Sequence, residues 1–442
     1  MKRVFVLGAL LIFISSSLVF SNNLSSLDYF HPDESNWIRV SIFSFDTFFI
    51  EKNYQADGWQ ESFRTFGFQN PQMGKFVIGA SLYFRNFRDF DGVIAWNHDK
   101  DIAWHVAQGL APTAEERYAA RLPICLLASG TVTLVGLLTM FALYQMLFNK
   151  VLVLLGGVTS SVLFAAHPIV WQLSHRAMPD IPAAFFSTLA ICLTLATLLL
   201  FQKGLFKRSL VVSAVGAVAV GLAISTKLNA LLSWGAVVLI LVVVSATWWL
   251  SGKMGEPKGR RCFLAYFFLQ LSVPWLIFWG SNPFLYKNGI ANLQKMIEFG
   301  QRIANRRAQL PNAALYTVGD KLKAFASLGF GSLSSLFHGK STVDVLVFII
   351  GFAVLGGTVV RLLKQKDLRT GAFFTAVLLL LWASVLGVGV LLWTPLSWGR
   401  YYMPWLPATA VFQGTGLIFL VSWVFRKVAG KQEAQQGLLR NT

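Results

Sequence analysis

About ten stretches of this 442-residue chain run for roughly 18–25 residues with almost no charge, and no other feature constrains the fold as tightly. A helix of that length can cross about 30 Å of hydrocarbon. Backbone polar groups meet no water there, so each stretch must satisfy its own hydrogen bonds as a helix. The expected fold is therefore an all-α integral membrane protein with about 10 transmembrane helices (range about 9–12). The first follows Lys2-Arg3 and runs to Phe20; the others cover about 121–147, 151–170, 181–201, 209–226, 229–250, 262–281, 343–361, 371–393 and 403–425. Composition agrees, since 55% of residues are hydrophobic and 13% charged, against about 25% charged in a soluble domain. Cys125, Cys192 and Cys262 all fall inside apolar spans and offer neither a disulfide framework nor metal-ligand spacing. The N-terminal run also has the outline of a signal peptide, but its small-residue cleavage pattern is poor, so an uncleaved first span is expected.

The formal net charge of +18 would suggest nucleic acid in a soluble protein. Here the positive-inside bias accounts for it, and no nucleic-acid partner is expected. With ten spans and a cytoplasmic N-terminus, the cytoplasmic pieces hold 18 Lys/Arg against 3 Asp/Glu, and the rest of the chain 20 against 17. Lys203/Lys207/Arg208, Arg260/Arg261 and Arg361/Lys364/Lys366 carry much of the excess. Both termini are then cytoplasmic, and about 21–120, 171–180, 282–342 and 394–402 face outward. Residues 1–442 are expected to form a single transmembrane domain, with 21–120 a first outer loop and 282–342 a second. In the first loop, apolar residues recur from Lys75 to Phe90 among Arg85, Arg88 and Asp89, which suggests an amphipathic surface helix. Thr113 followed by Glu116 has the form of a capping box opening the helix that continues past Arg121.

Polar clusters near span ends gather on the same face. His31-Pro32-Asp33-Glu34 follows the first span. Adjacent carboxylates beside a membrane need solvent or partners. They are either a solvated loop start or a general base, able to take the proton of an acceptor hydroxyl attacking a sugar. Lys75, in Asn70-Pro71-Gln72-Met73-Gly74-Lys75, either grips a lipid phosphate or snorkels at the interface. In His175-Arg176-Ala177-Met178-Pro179-Asp180-Ile181-Pro182, Asp180 suits a helix cap and Pro182 a first turn, while Arg176 is either solvated or part of a site. Lys227 breaks the charge bias between two spans and so should have a partner or ligand. Arg400, flanked by Trp398, Tyr401 and Tyr402, either holds a phosphate through its planar fork or belongs to an aromatic belt. Arg121 opens the second span and can pair with Asp33 or Glu34. Arg302, Arg306 and Arg307 lie in a region that closes over an outer cavity or forms a headgroup-binding helix.

Taken in order, these clusters resemble the GT-C integral-membrane glycosyltransferases, and within them the protein O-mannosyltransferase and aminoarabinose-transferase group. His31-Pro32-Asp33-Glu34 is similar to the acidic motif after the first span, Asn70 to Lys75 to a His-Pro-Pro-Leu-Gly-Lys segment, and Arg400-Tyr401-Tyr402-Met403-Pro404 to an Arg-Tyr-x-x-Pro stretch. Arg121-Leu122-Pro123, Arg176 to Pro182 and Thr226-Lys227-Leu228-Asn229 match recurring stretches. Asn70 and Gln72 depart from the pattern. The resemblance implies a polyprenyl-phosphate-linked sugar donor, transfer on the non-cytoplasmic face, and inversion at the anomeric carbon. It makes Asp33 the base and Glu34 its support. It assigns Lys75, Arg121, Lys227, Arg400 and Tyr401 to donor-phosphate binding, with His31, Arg176 and Asp180 as further site residues. A lipid, glycan or protein acceptor, membrane lipids as partners, and a bacterial inner membrane as location are expected. The sequence itself calls for no divalent metal and leaves the cofactor open. The rival reading, a lipid or sugar transporter, should place ionisable residues mid-span and break helices in paired positions. Here the spans are mostly clean.

Overall fold

The structure is a computed structural model that describes residues 2–55, 70–88, 96–97, 100–146, 149–250, 257–309, 314–368 and 370–440. The described residues fold as helices joined by turns and short irregular segments. Among the described residues the sole β-type pairing is an isolated antiparallel bridge, Ala314 to Leu396. Helix α1 (Lys2–Phe20) precedes α2 (Pro32–Phe45), which runs on through a π-helical turn, Asp46–Ile50. Two shorter helices, α3 (Met73–Tyr83) and α4 (Ile102–Ala107), lead to the long α5 (Ala114–Met146). The bundle continues with α6 (Lys150–Ala166), α7 (Pro168–Ser174), α8 (Asp180–Gln202), α9 (Phe206–Ile224), α10 (Leu231–Leu250) and α11 (Pro257–Gly280). Three non-spanning helices follow, α12 (Gly289–Arg307), α13 (Val318–Leu328) and α14 (Ser332–Phe337). Then come α15 (Ser341–Lys364), α16 (Gly371–Trp393) and α17 (Leu406–Arg440).

Among the described residues, eight helices are long and apolar enough to cross a membrane. A ninth is present if α6 and α7, bent by 70°, count as one span. The expected ten included α1, whose described apolar stretch, Phe5–Phe20, falls short of that length. The bend has a local cause. Pro168 forces the preceding residue out of the helical region, and His167 is extended at φ −63°, ψ 126°. His167 Nδ1 then accepts the Ile169 N–H at 3.2 Å and caps α7. Phe268, Leu264 and Leu276 are 68–70% exposed along α11. Such a face would be untenable in water and is ordinary against lipid.

Helix α5 is the hub, packing against α1, α3, α6, α8 and α17. It opens at the expected capping box, where Thr113 N–H donates to Glu116 Oε2 at 2.6 Å and Glu116 N–H to Thr113 Oγ1 at 3.2 Å. Because consecutive spans alternate direction, the C-terminal ends of α9, α11 and α16 share one end of the bundle with the N-terminal ends of α5, α8, α10, α15 and α17. Hydrogen bonds tie the short segments to that end. Met73 N–H donates to Ser225 O (2.8 Å), Gln72 N–H to Asn282 Oδ1 (3.0 Å), and Leu315 N–H to Pro395 O (3.0 Å). Asp344 accepts the Leu333 and Ser334 N–H groups and the Gln413 amide, joining α14, α15 and α17. The surface helix anticipated from Lys75 to Phe90 ends earlier, at Tyr83, and Asp89 and Phe90 lie outside the described residues.

Helices α2 and α3 meet backbone to backbone at Gly79. A Cβ there would overlap Ser41 O and press on Phe45 Cβ. Gly79→Ala is therefore expected to cost about 1–3 kcal/mol by overpacking, despite the roughly 1 kcal/mol that alanine normally contributes in a helix. Gly356→Ala, with nothing within 4 Å, is the control. Thermal unfolding of the purified variants checks this; equal melting of both would show that the α2–α3 contact is slack.

Candidate active site

Pro32 occupies the first turn of α2, where its missing N–H is no loss, and His31 caps the helix by accepting the Asp33 N–H on Nδ1 at 3.1 Å. That bond requires an unprotonated Nδ1. Burial pushes the His31 imidazole down to about 4, against the upward pull of Asp33, so the 3.8 Å approach of His31 Nδ1 to Asp33 is no ion pair at neutral pH. The cap fixes the first turn of α2, and the helix's rotation of about 100° per residue sends Asp33 and Glu34 to different partners.

Glu34 points into the protein and is fully buried. Arg121 grips it along one side of the guanidinium, Nε to Oε1 at 2.7 Å and Nη2 to Oε2 at 2.8 Å, and the Ala177 N–H adds a third bond at 2.8 Å. The other arm of Arg121 donates to Leu24 O (2.8 Å) and Ser26 O (2.6 Å). Four of the five guanidinium N–H groups are thus engaged, and Arg121 is 0% exposed. The pair welds the loop after α1, the start of α2, α5 and the turn before α8.

Asp33 points the other way. Its side chain is 19% exposed, and Arg400 Nη1 donates to Oδ2 at 3.2 Å. Arg307, the last residue of α12, brings Nη2 to 4.0 Å from the same oxygen. Burial raises the Asp33 carboxyl, but Arg400 foremost, then His31 and Arg307, outweigh it and hold the group below its usual value. Arg400 lies over Trp398 (5.2 Å to the ring centre) and Tyr401 (5.9 Å), and Arg307 over Trp398 (5.0 Å). For the Arg400 guanidinium, burial is overcome by Asp180 and Asp33, which raise it further.

Lys227 meets Asp180 at 2.5 Å and sits 5.8 Å over the Tyr401 ring. Together they line a cavity of about 10 Å³, room for one water. Asp180 was expected as a helix cap. The residue before α8 is Pro179, no side chain caps the helix, and Asp180 engages Lys227 instead. Arg176 donates from Nε to Tyr29 O at 2.7 Å, closing the wall behind His31.

Lys75 is fully buried in the first turn of α3, which removes the interfacial-snorkelling reading. Its Nζ donates to Asn70 O at 3.1 Å and lies 5.9 Å from the ring of Trp37, one helical turn beyond Asp33. Burial lowers its ammonium to about 7. Among the described residues no three His, Cys, Asp or Glu side chains gather as a metal site, and the groups around Asp33 are cations and an imidazole. Sequence reasoning singled out the region of Arg307 but not its contact with Asp33. Its one signal was a basic pair ending an amphipathic helix.

A family model, dolichyl-phosphate-mannose-protein mannosyltransferase, matches residues 64–283. That segment contains Lys75, Arg121, Arg176, Asp180 and Lys227; Asp33, Glu34, Arg307 and Arg400 lie outside it. None of the curated protein sequences matches the chain. Among solved structures, ArnT from Cupriavidus metallidurans in the apo state is similar over 98% of this chain and 64% of its own, with 15% identity and a TM-score of 0.52. The archaeal oligosaccharyltransferase AglB from Archaeoglobus fulgidus, in complex with an inhibitory peptide and a dolichol-phosphate, is similar over 97% of this chain and 52% of its own, with 14% identity and a TM-score of 0.50. This chain therefore spans less than two thirds of either structure. The family match covers just under half of the chain, and the likeness to the two solved structures is one of fold.

Proposed function

We propose that this chain, which has the GT-C fold and resembles the protein mannosyltransferases, moves a sugar from a polyprenyl-phosphate donor to an acceptor hydroxyl with inversion. The observation that carries the reading is the division of labour among carboxylates. Of Asp33, Glu34 and Asp180, the latter two are buried against Arg121 and Lys227, while Asp33 keeps access to solvent among cations. A carboxylate placed so can take the acceptor hydroxyl proton as its oxygen bonds to the anomeric carbon. The bond from that carbon to the phosphate oxygen breaks in the same displacement, and its electron pair leaves with the lipid phosphate. Arg400, Lys227 and Lys75 are the cations available to hold that developing charge, with Tyr401 beneath two of them. Glu34 and Arg121 act behind Asp33 as positioning residues, and Asp180, His31 and Arg176 build the walls.

The outer face is the proposed site of reaction. In this reading the Lys/Arg excess favours the opposite ends of the spans as cytoplasmic, and with α1 crossing as well both termini lie there. A bacterial plasma membrane suits a chain of this type. Lipid, glycan and protein acceptors all present a hydroxyl that this geometry can activate. Residues 1–442 act as one domain in this reading, with 21–120 and 282–342 covering the outer end.

The test is transfer of labelled sugar from a polyprenyl-phosphate donor by the purified protein in sided proteoliposomes, with the anomeric configuration of the product read by proton NMR. Transfer with retained configuration would contradict the single displacement. A second expectation concerns Lys75. A lysine with a value near 7 is charged below that pH and neutral above it, so grip on a phosphate weakens as pH rises. The donor KM should climb from about pH 6 to about pH 9, and Lys75→Met should give a high KM across that range with the climb removed. A flat wild-type profile would take Lys75 out of the phosphate site.

A further inference from the structure

Two guanidinium groups, from segments far apart in sequence, converge on one oxygen of Asp33. Arg400 comes from the turn before α17 and Arg307 from the end of α12, at 3.2 Å and 4.0 Å from Oδ2. Both also lie over the same indole, Trp398, at 5.2 Å and 5.0 Å. This differs from the Glu34–Arg121 pair in every respect that matters for exchange. That pair is bidentate, short and fully buried. Around Asp33 the contacts are single and longer, the Arg307 side chain is 30% exposed, and the indole face can hold both cations whichever anion they meet. A phosphate offers several charged oxygens to planar forks, and so is a stronger partner for two arginines than one carboxylate oxygen at these distances.

We propose that Arg307 and Arg400 form a paired phosphate clamp seated on Trp398, and that the Asp33 carboxylate occupies this clamp until the lipid phosphate displaces it. The inference rests on the donor reading above and adds to it Arg307, α12 and the exchange. The charged and titratable groups facing Asp33 are His31 from its own loop, Arg400 from the turn before α17 and Arg307 from α12, with Arg176 and Asp180 beyond them. When the two arginines turn to phosphate, two of the groups that lower the proton affinity of Asp33, Arg400 foremost among them, are drawn away, while its burial remains. The carboxylate becomes a better base once the leaving group is in place. Helix α12, by carrying Arg307, makes that step depend on the amphipathic segment beside the site.

The exchange makes an asymmetric prediction for binding of a polyprenyl monophosphate to the purified full chain in detergent. Arg307→Ala removes half of the clamp and should weaken binding about tenfold, the size of a charge-assisted hydrogen bond. Arg307→Lys, which keeps charge but not the planar fork, should fall between. Asp33→Asn removes the competitor and should tighten binding by about tenfold. Arg307→Ala binding like wild type, or Asp33→Asn binding more weakly, overturns the clamp and leaves the glycosyltransferase reading standing. A wild-type protein that binds no polyprenyl monophosphate overturns both. If Arg307→Ala does not fold, the Asp33→Asn arm, which preserves shape and volume, decides alone.

Discussion

Asp33→Asn is expected to lower the rate of sugar transfer by about 10²–10⁴-fold, the usual contribution of a general base. The substitution keeps the shape of the side chain and an oxygen for the Arg400 N–H, so the loss should fall on turnover, with donor affinity improved. The environment supports this split. The carboxyl of Asp33 is held low by Arg400 first, then by His31 and Arg307, against its burial, so it is ionised and able to accept a proton at neutral pH. On acidification, activity should persist until well into the carboxylate range. Asp28→Asn, in the same loop with its N–H on Ser26 Oγ, is the control and should transfer at the wild-type rate. Equal turnover by Asp33→Asn and wild type would remove Asp33 as the base.

The second large effect belongs to stability. Glu34→Ala leaves the Arg121 guanidinium buried without its carboxylate, and Arg121→Met strands Glu34 in the same way. Breaking a buried pair from one side typically costs about 3–5 kcal/mol, because the remaining charge is neither solvated nor paired. Replacing both, as Glu34→Leu with Arg121→Met, should recover much of that loss, since no charge is left to strand. The Leu24 and Ser26 carbonyls would still lose their donor, so recovery should be incomplete. Transfer should fall in the single variants beyond what unfolding explains, because the pair fixes the turn of α2 that carries Asp33, and an error of about 1 Å at a reacting group can cost about 10²-fold. Thermal unfolding in detergent measures the first effect. Single variants that melt within about 1 kcal/mol of wild type would mean that the pair is solvated in the native protein.

Much of this arrangement was legible before any coordinates. Apolar length gives the spans, and the alternation of spans puts Asp33 and Arg400 at one end of the bundle although 367 residues separate them. Partner choice was only half legible: Arg121 could be paired with one of the two carboxylates, but the contact of Asp33 with Arg400 could not be foreseen. Asp33 and Glu34 are neighbours in sequence, yet one meets Arg400 and the other Arg121, since adjacent residues on a helix face different directions. Asp180 has the composition of a cap, but a cap is defined by backbone dihedrals, and the helix starts one residue too early for it to serve. Lys75 could be read as an interfacial lysine because nothing local reveals that α2 closes over it. Arg307 was hidden for a different reason. Its contact with Asp33 depends on how α12 is laid across the bundle, and amphipathic periodicity sets which face packs but not where the helix ends.

In the proposed function the charge cluster at Asp33 is the place where a sugar is cut from a lipid monophosphate. The most direct measurement is mass spectrometry of the lipid left after incubating the purified protein with a polyprenyl-phosphate-linked sugar and acceptor membranes. Polyprenyl monophosphate should appear in proportion to the sugar transferred, and Asp33→Asn should nearly abolish it. A donor recovered intact, moved between leaflets but uncleaved, would contradict the assignment and point to transport.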